Sequence, residues 1–243
     1  MSDGIYVALS GAVAQTSVLD VTSTNLANAS TDGYQRLRHV FREALADAQS
    51  GGTLRSVTTA TTRLDTTRGA LRVTGRPLDV ALPQNSYLAV STPRGERYTR
   101  AASLRVDLEG ALRTSHGDVV ATESGRPMRA DPTVSTEPAV TQSGEVWQGD
   151  TMLGRLKVVK FSNPDQLTPE GGTLLAASPA AGTPVASKET LDIGSVEESN
   201  ASVMVGMTEL VTANRTFEAF QRAISTFQQA DEKVTTTVPN ADE

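Results

Sequence analysis

The sequence predicts an α+β protein: N- and C-terminal helices paired as a coiled-coil-like layer that flanks a central antiparallel all-β domain. Three observations carry this. Apolar residues recur at alternating four- and three-residue steps near the N-terminus, which is a helical seam. The same spacing returns near the C-terminus. Between Gly69 and Gly194 the apolar period falls to two, with turn signals between short runs, as antiparallel strands require. Four segments follow: 1–34, an assembly helix and turn; 35–68, a short helix and extended connector; 69–194, the β domain; 195–243, a second assembly helix and tail.

The first helix is expected from Asp3 to Asn28, about 39 Å long at 1.5 Å per residue. Ile5, Leu9, Ala12, Thr16, Leu19, Ser23 and Leu26 form its seam. Asn28 and Ser30 compete with the helix for backbone hydrogen bonds, and Gly33 tolerates the left-handed geometry that ends one. A polar turn reaching Tyr34 therefore stops the helix. Arg36 to Ala48 then carries Leu37, Val40, Phe41, Ala44 and Leu45, a spacing that predicts a short amphipathic helix. Gln49 to Thr67 is rich in threonine, poor in large apolar residues, and reads as an extended connector.

In the β region, Leu71/Val73, Leu78/Val80/Leu82, Leu88/Val90, Leu104/Val106, Val158 and Leu191/Ile193 alternate with polar residues. Glu109-Gly110, Gln142–Gly144, Asn163–Asp165 and Gly171-Gly172 supply turns, so a barrel or small sandwich is expected. Arg105–Leu112 is the clearest hairpin. The last segment turns helical again, with Met207, Leu210, Ala213, Phe217, Phe220, Ile224 and Phe227 on one face and Val203 extending it. Three of the chain's five phenylalanines lie there. Glu197, Glu198, Ser199 and Asn200 would place acids and cap formers at that helix start. Both seams include small or polar positions, which favours a bundle with neighbouring copies; an intramolecular pair packed on the β domain explains the spacing equally well. Termini that are mobile in the monomer and ordered on assembly follow from the first alternative.

Composition excludes much. Of 243 residues 38% are hydrophobic and 4% aromatic, and the net charge is −6. An acidic chain does not suit nucleic acid or an anionic membrane as its main partner. With no cysteine there is no disulfide, thiolate metal site or thiol nucleophile, and two histidines leave little for a metal. The longest apolar run in the first helix, Ile5 to Leu9, is short for a membrane span or a signal-peptide core, and Met1-Ser2-Asp3 lacks positive charge, so neither membrane insertion nor a cleaved signal is expected.

No phosphate-cradling loop, nucleophile elbow, dinucleotide fingerprint or zinc-protease helix is present. No catalytic residue, cofactor, metal or small-molecule ligand is expected. Asp79 lies in the apolar run Leu78–Leu82 but on the opposite face, and reads as a solvated or turn-bonding acid. His39 and His116 read as surface or loop histidines. Arg94, Arg97, Arg100 and Arg105 form the densest basic group, either a solvated strand face or a partner-facing patch. Trp147, the single tryptophan, plugs the β core or its rim.

Asn25-Leu26-Ala27-Asn28-Ala29-Ser30-Thr31-Asp32-Gly33-Tyr34 resembles the signature of the bacterial flagellar rod and hook family, usually Asn-Leu-Ala-Asn followed by Thr-Pro/Asn-Gly-Tyr/Phe. Gly4–Ala12 is similar to the same family's opening, and Thr74–Leu82 and Tyr98-Thr99-Arg100 to its internal motifs. Glu198, Ser199, Asn200, Met207, Leu210, Arg215, Phe217 and Glu218 are similar to its C-terminal helix. The chain departs from the family at Pro83–Tyr87 and at Ala101-Ala102, where glycines with an aromatic and an Asn-Gly pair are common.

The resemblance implies a non-enzymatic subunit of the proximal rod, with a distal rod or hook-family subunit as the alternative. It implies export through the flagellar type III apparatus without a cleaved signal. It further implies helical assembly in the periplasm with other rod proteins and copies of itself, to transmit torque. A secreted β-domain binding module with a helical dimerisation pair is the reading from another class.

Overall fold

The structure is a computed structural model and describes residues 2–45, 56–125, 127–131, 134 and 136–237. The chain folds as two compact units. One is made from helix α1 (Ser2–Ala27), the strands β1 (Leu37–Leu45) and β2 (Ser56–Leu64), and helix α2 (Val203–Thr237). The second is made from the turn after α1, Ala27–Arg36, and the β region, Arg63–Ser202.

In the helical unit, α1 and α2 lie antiparallel. A Cβ placed on Gly4 would come 3.1 Å from the Phe227 ring, one on Gly11 2.5 Å from Phe220, and one on Gly206 3.5 Å from Leu26. Partners thus advance along one helix as they retreat along the other. Ala8, Ala12 and Ala213 are buried in the same unit. Small residues on one helix make room for phenylalanine on the other, which gives close packing without long apolar side chains on both sides. By length and average composition Gly4–Ala27 is apolar enough to cross a membrane. The short uninterrupted run Ile5–Leu9 conceals this, because the apolar residues beyond it are interleaved with hydroxyls and carry only one charge, Asp20.

The helix expected over Arg36–Ala48 is absent from its described part, the last three residues lying outside it. Residues 37–45 are a strand, paired with 56–64 in a two-stranded sheet. The partner strand contains Val57, Thr58, Thr59, Thr61 and Thr62, β-branched residues that fit a pleated surface better than a helix. Helical spacing inside Leu37–Leu45 is a local signal, and the partner that overrules it lies further along the chain. The expected connector is therefore half strand; its first part, 49–55, lies outside the described residues.

The β unit contains β3 (Leu71–Val73), β4 (Val80–Ala81), β5 (Ser86–Thr92), β6 (Gly95–Thr99), β7 (Leu104–Val106), β8 (Leu112–Thr114) and β9 (Val119–Val120). After these come β10 (Ala139–Val140), β11 (Glu145–Gln148), β12 (Thr151–Arg155), β13 (Val158–Lys160) and β14 (Thr168–Pro169). The last four are β15 (Leu175–Ala176), β16 (Val185–Ala186), β17 (Asp192–Ile193) and β18 (Ser195–Glu197). Nine of these strands make one sheet in the order β14-β15-β6-β5-β9-β8-β7, with β13 joining β5 and β16 joining β13. β10-β11-β12 form a second sheet, and β17-β4 and β18-β3 form two ribbons. Their ladders are antiparallel, as expected. Val80, Leu82, Leu88, Val90, Leu104 and Leu156 centre the core, where Tyr98 and Tyr87 meet Phe161 edge-on at 4.8 and 6.0 Å.

The Arg105–Leu112 hairpin is present as β7–β8, with Leu104 opposite Thr114 and Val106 opposite Leu112. The Asn163–Asp165 turn signal is taken by a short 3-10 helix, Pro164–Gln166, which proline at its first position pre-sets.

Candidate assembly site

The turn expected to stop the first helix is held by one side-chain amide and a set of backbone bonds. In the helical unit, Asn25 uses its amide like a neighbouring strand: Nδ2 donates to Leu37 O at 2.9 Å and Oδ1 accepts from Leu37 N at 2.8 Å. This ties the last turn of α1 to the start of β1. In the β unit, Thr31 N donates to Asn28 O at 3.1 Å and Tyr34 N to Thr31 O at 3.2 Å. Gly33 has φ +73, and a Cβ there would lie 2.3 Å from Ala101 N. Both the left-handed backbone and the close approach require glycine. Gly33 N donates to Glu197 O at 2.6 Å. Tyr34 is 5% exposed, and burial pushes its pKa up to about 12, so it stays protonated at any physiological pH.

Glu197 is the anchor that receives this turn, and its position corrects the sequence reading. It was expected among acids at the start of the second helix. It lies instead in β18, ahead of α2, with its carboxylate buried against Arg100. Arg100 Nε donates to both carboxylate oxygens at 3.0 Å, and its Nη2 bonds Oε2. The guanidinium also donates to Ser86 O at 2.7 Å, Pro83 O at 3.1 Å and Leu82 O at 3.2 Å. Glu197 Oε1 further accepts from Gly69 N at 3.2 Å. A buried charge pair is tolerable only when its remaining donors and acceptors are filled in this way.

Asn200, expected as a cap former, does not cap α2, which begins at Val203. Its Oδ1 accepts from Arg36 N at 2.6 Å, while Nδ2 donates to Asp65 O at 2.9 Å and Thr67 O at 2.8 Å. One amide thus joins three segments remote in sequence. Burial alone would raise the Asp65 pKa, but the hydroxyl and amide of Thr67 and the Arg36 guanidinium outweigh it and hold the carboxyl below its ordinary value. No periodicity flags Asn200 or Asp65. Only the run of acids and cap formers at Glu197-Glu198-Ser199-Asn200, just before the helix, hinted that this stretch was special.

The seams divide. On α2, Leu210, Phe217, Phe220 and Ile224 are half-buried and Ala213 is buried, while Phe227 is 37% exposed. Met207 is out of line at 55% exposed; Gly206, one residue earlier, takes the inward position. On α1 the inward row is Gly4, Ala8, Gly11, Gln15, Val18, Thr22 and Asn25, one residue earlier than the expected row. Ala12, Ile5, Leu19 and Leu26 border it, whereas Leu9 is 49% exposed and Thr16 and Ser23 also face outward. Tyr6, Val7, Val13, Met204 and Val211 are exposed as well.

Asp79 is buried at 2% exposed, not solvated. It accepts from Thr74 Oγ1 and Ser103 Oγ, both at 2.7 Å, and so fixes the β3–β4 turn onto the residue that leads into β7. The arginine group is not one face. Arg94 and Arg97 share Glu170 at 3.0 and 2.9 Å, Arg100 is buried, and Arg105 is exposed. Trp147 is half-buried on β11 and donates to Glu145 Oε2 at 3.3 Å. His39 is a half-buried strand residue whose pKa burial lowers, and His116 lies in an exposed turn. Among the described residues no group of three His, Asp or Glu side chains could hold a metal ion.

The stretches that build this site coincide with what the chain is similar to. Residues 5–35 match the family model for flagella basal body rod protein, and residues 193–237 match that for the flagellar basal body rod FlgEFG protein C-terminal. The chain belongs to the flagellar basal-body rod protein family. It is 34% identical to flagellar basal-body rod protein FlgF of Escherichia coli K12, covering 93% of this chain and 94% of that one. It is 32% identical to FlgF of Salmonella typhimurium, over 94% of this chain and 95% of the relative. With flagellar basal-body rod protein FlgG of Bacillus subtilis it shares 28% identity over 93% of this chain and 95% of that relative. The resemblance read from the sequence is therefore to the right family, and the FlgF relatives of Escherichia coli and Salmonella typhimurium are more similar to the chain than the FlgG relative of Bacillus subtilis.

Proposed function

We propose that this chain is a structural subunit of the flagellar basal-body rod, most like FlgF in type, and acts by assembly rather than catalysis. The antiparallel α1–α2 pair carries the proposal. It packs through small residues and phenylalanine, which leaves Tyr6, Val7, Leu9, Val13, Met204, Met207 and Val211 uncovered. A row of large apolar side chains on one compact unit marks a surface built to be covered by protein. Copies of itself and the other rod proteins are the partners that the family supplies, with torque transmission as the mechanical result.

On this reading the chain passes unfolded through the flagellar type III apparatus, without a cleaved signal, and assembles helically in the periplasm. The absence of cysteine suits that route, since no disulfide has to be formed or broken. The apolarity of Gly4–Ala27 serves helix packing and subunit contacts and not a membrane span, because Gly4 and Gly11 are shaped for Phe227 and Phe220. The test is deletion of the chromosomal copy, followed by electron microscopy of basal bodies and a swimming assay. Complete rods and normal swimming in the deletion strain would refute the proposal.

A further inference from the structure

The outward faces of the two long helices change character along their length, and in opposite senses. Helical spacing places Tyr6, Leu9 and Val13 on the side of α1 away from the inward row of Gly4, Ala8 and Gly11. Farther along that side come Thr16, Asp20 and Thr24, also exposed. On α2 the side away from Gly206 and Ala213 starts with Met204, Met207 and Val211 and continues as Arg215, Glu218 and Arg222, all exposed. The six apolar side chains are each 49% exposed or more. Each helix is thus apolar outside over its first turns and polar beyond.

Because the helices run antiparallel, the two apolar patches lie at opposite ends of the pair as well as on opposite sides. Gly4 beside Phe227 and Gly11 beside Phe220 set the register, which puts Val13 level with Glu218 and Asp20 level with Val211. A second pair laid alongside in the same direction without a shift would press Val13 onto Glu218 and Val211 onto Asp20. That buries charge against apolar surface. A shift of about 14 residues, which is about 21 Å at 1.5 Å per residue, instead brings Val13 level with Met204 and Tyr6 level with Val211. The polar halves then overhang, and only the apolar ones meet.

We propose that the Tyr6–Val13 face of α1 in one copy packs on the Met204–Val211 face of α2 in the next copy, displaced along the helices by about 21 Å. Both halves of the contact are on this one chain, so a second copy is the occupant. A two-fold dimer would cover one patch and leave the other bare, whereas the head-to-tail contact covers both. Each step also advances along the helices, so its repetition generates a helical array and not a closed ring. So few side chains fall short of the roughly 20–30 residues a side of a stable two-body interface; the contact therefore holds in the array and not in a dilute pair. This rests on the rod reading and adds to it the partner, the two faces and their stagger.

The chain has no cysteine of its own, so introduced ones report the contact cleanly. Full-length Val13→Cys and Met204→Cys chains are co-expressed, with different tags, in cells building basal bodies, and the purified basal bodies are oxidised. A disulfide joining the two tags is expected, and none from Val13→Cys with Glu218→Cys, the pair that an unshifted arrangement would join. A disulfide in that control overturns the stagger, and one formed by Val13→Cys alone marks a two-fold contact and overturns the head-to-tail arrangement. Basal bodies that contain both chains but yield no mixed disulfide overturn the contact while leaving the rod reading standing, as does capture of a different protein by either cysteine. Absence of the tagged unsubstituted chain from basal bodies would refute the rod reading itself. A second arm needs no substitution. Hydrogen peroxide converts the Met204 thioether to the sulfoxide, with water as the other product; this is expected in the purified chain and largely lost in basal bodies. Met204 oxidised equally fast in both also overturns the contact.

Discussion

The guanidinium of Arg100 and the carboxylate of Glu197 form an ion pair with side chains 1% and 2% exposed. It joins the end of β6 to β18 across 97 residues of chain. The same glutamate receives the turn after α1 through its backbone oxygen and Gly69 through its side chain. The pair is therefore the point at which three parts of the β unit are kept in register.

Removing one partner should be much worse than removing both. Glu197→Ala leaves the Arg100 charge buried and is expected to cost about 3–5 kcal/mol, whereas Arg100→Met combined with Glu197→Leu should recover most of that. Urea titration of the three purified chains, followed by circular dichroism, measures it. Equal losses in the single and double variants would show that the neighbouring backbone bonds, not the charge pairing, dominate.

Gly33→Ala should disturb the turn for two reasons that add. A left-handed residue other than glycine costs on the order of 1–3 kcal/mol, and the new Cβ would press on Ala101 N. A lowered melting temperature is expected, together with lost incorporation into rods. A variant that melts and incorporates like the parent would show that the turn can rearrange freely.

Asn25→Ala deletes two hydrogen bonds to Leu37 and leaves both backbone groups to find other partners, a loss of about 1–3 kcal/mol. Faster hydrogen exchange at the Leu37 amide is the direct readout, since that proton is held only by the Asn25 side chain among the bonds described.

The helix seam should fail on filling. Gly11→Leu would drive a side chain into Phe220 and lower helicity by circular dichroism, and Phe220→Ala in the same chain should restore part of it, because the ring then no longer occupies that space. No recovery in the double variant would mean that the two helices do not pack at this level.

Acid should loosen the junction around Asn200. The folded state holds the Asp65 pKa below its ordinary value of 3.8. A depressed carboxylate contributes stability that is complete above the unfolded pKa and is lost as pH falls through the folded one. Stability should thus be flat above about pH 5 and fall below about pH 4, and Asp65→Asn should remove part of that slope. Unchanged acid sensitivity in Asp65→Asn would assign the slope to other carboxylates.

Much of the fold was legible because its signals are local. Alternation over Leu88/Val90 and Leu104/Val106 predicts β5 and β7, and Glu109-Gly110 predicts the hairpin between β7 and β8. The turn Asn28–Tyr34 was legible because asparagine, threonine and glycine each carry their own backbone preference. Leu37–Leu45 was misread for the converse reason: its helical spacing is genuine, but pairing with the threonine-rich strand decides. Asp79, read as a solvated or turn-bonding acid, Arg100, read within a basic group, and Glu197, read at a helix start, are all buried, and nothing in their neighbours announces the partners that fill them. Those partners are Thr74 and Ser103 for the first, and each other for the last two.

By itself the sequence determined that both ends are helices with a four-three repeat, that the middle is antiparallel β, and that Gly33 must sit in a turn. It also carried the family, through residues spread over both ends and the middle. Tertiary structure decided the phase of the α1 repeat. Two rows one residue apart share that period, and apolarity alone favours Ile5, Leu9 and Leu26. The row of Gly4, Ala8 and Gly11 turns inward instead, because Phe220 and Phe227 on α2 need the space that only small residues leave. Volume matching between two helices is a property of the pair, and neither sequence stretch contains it alone.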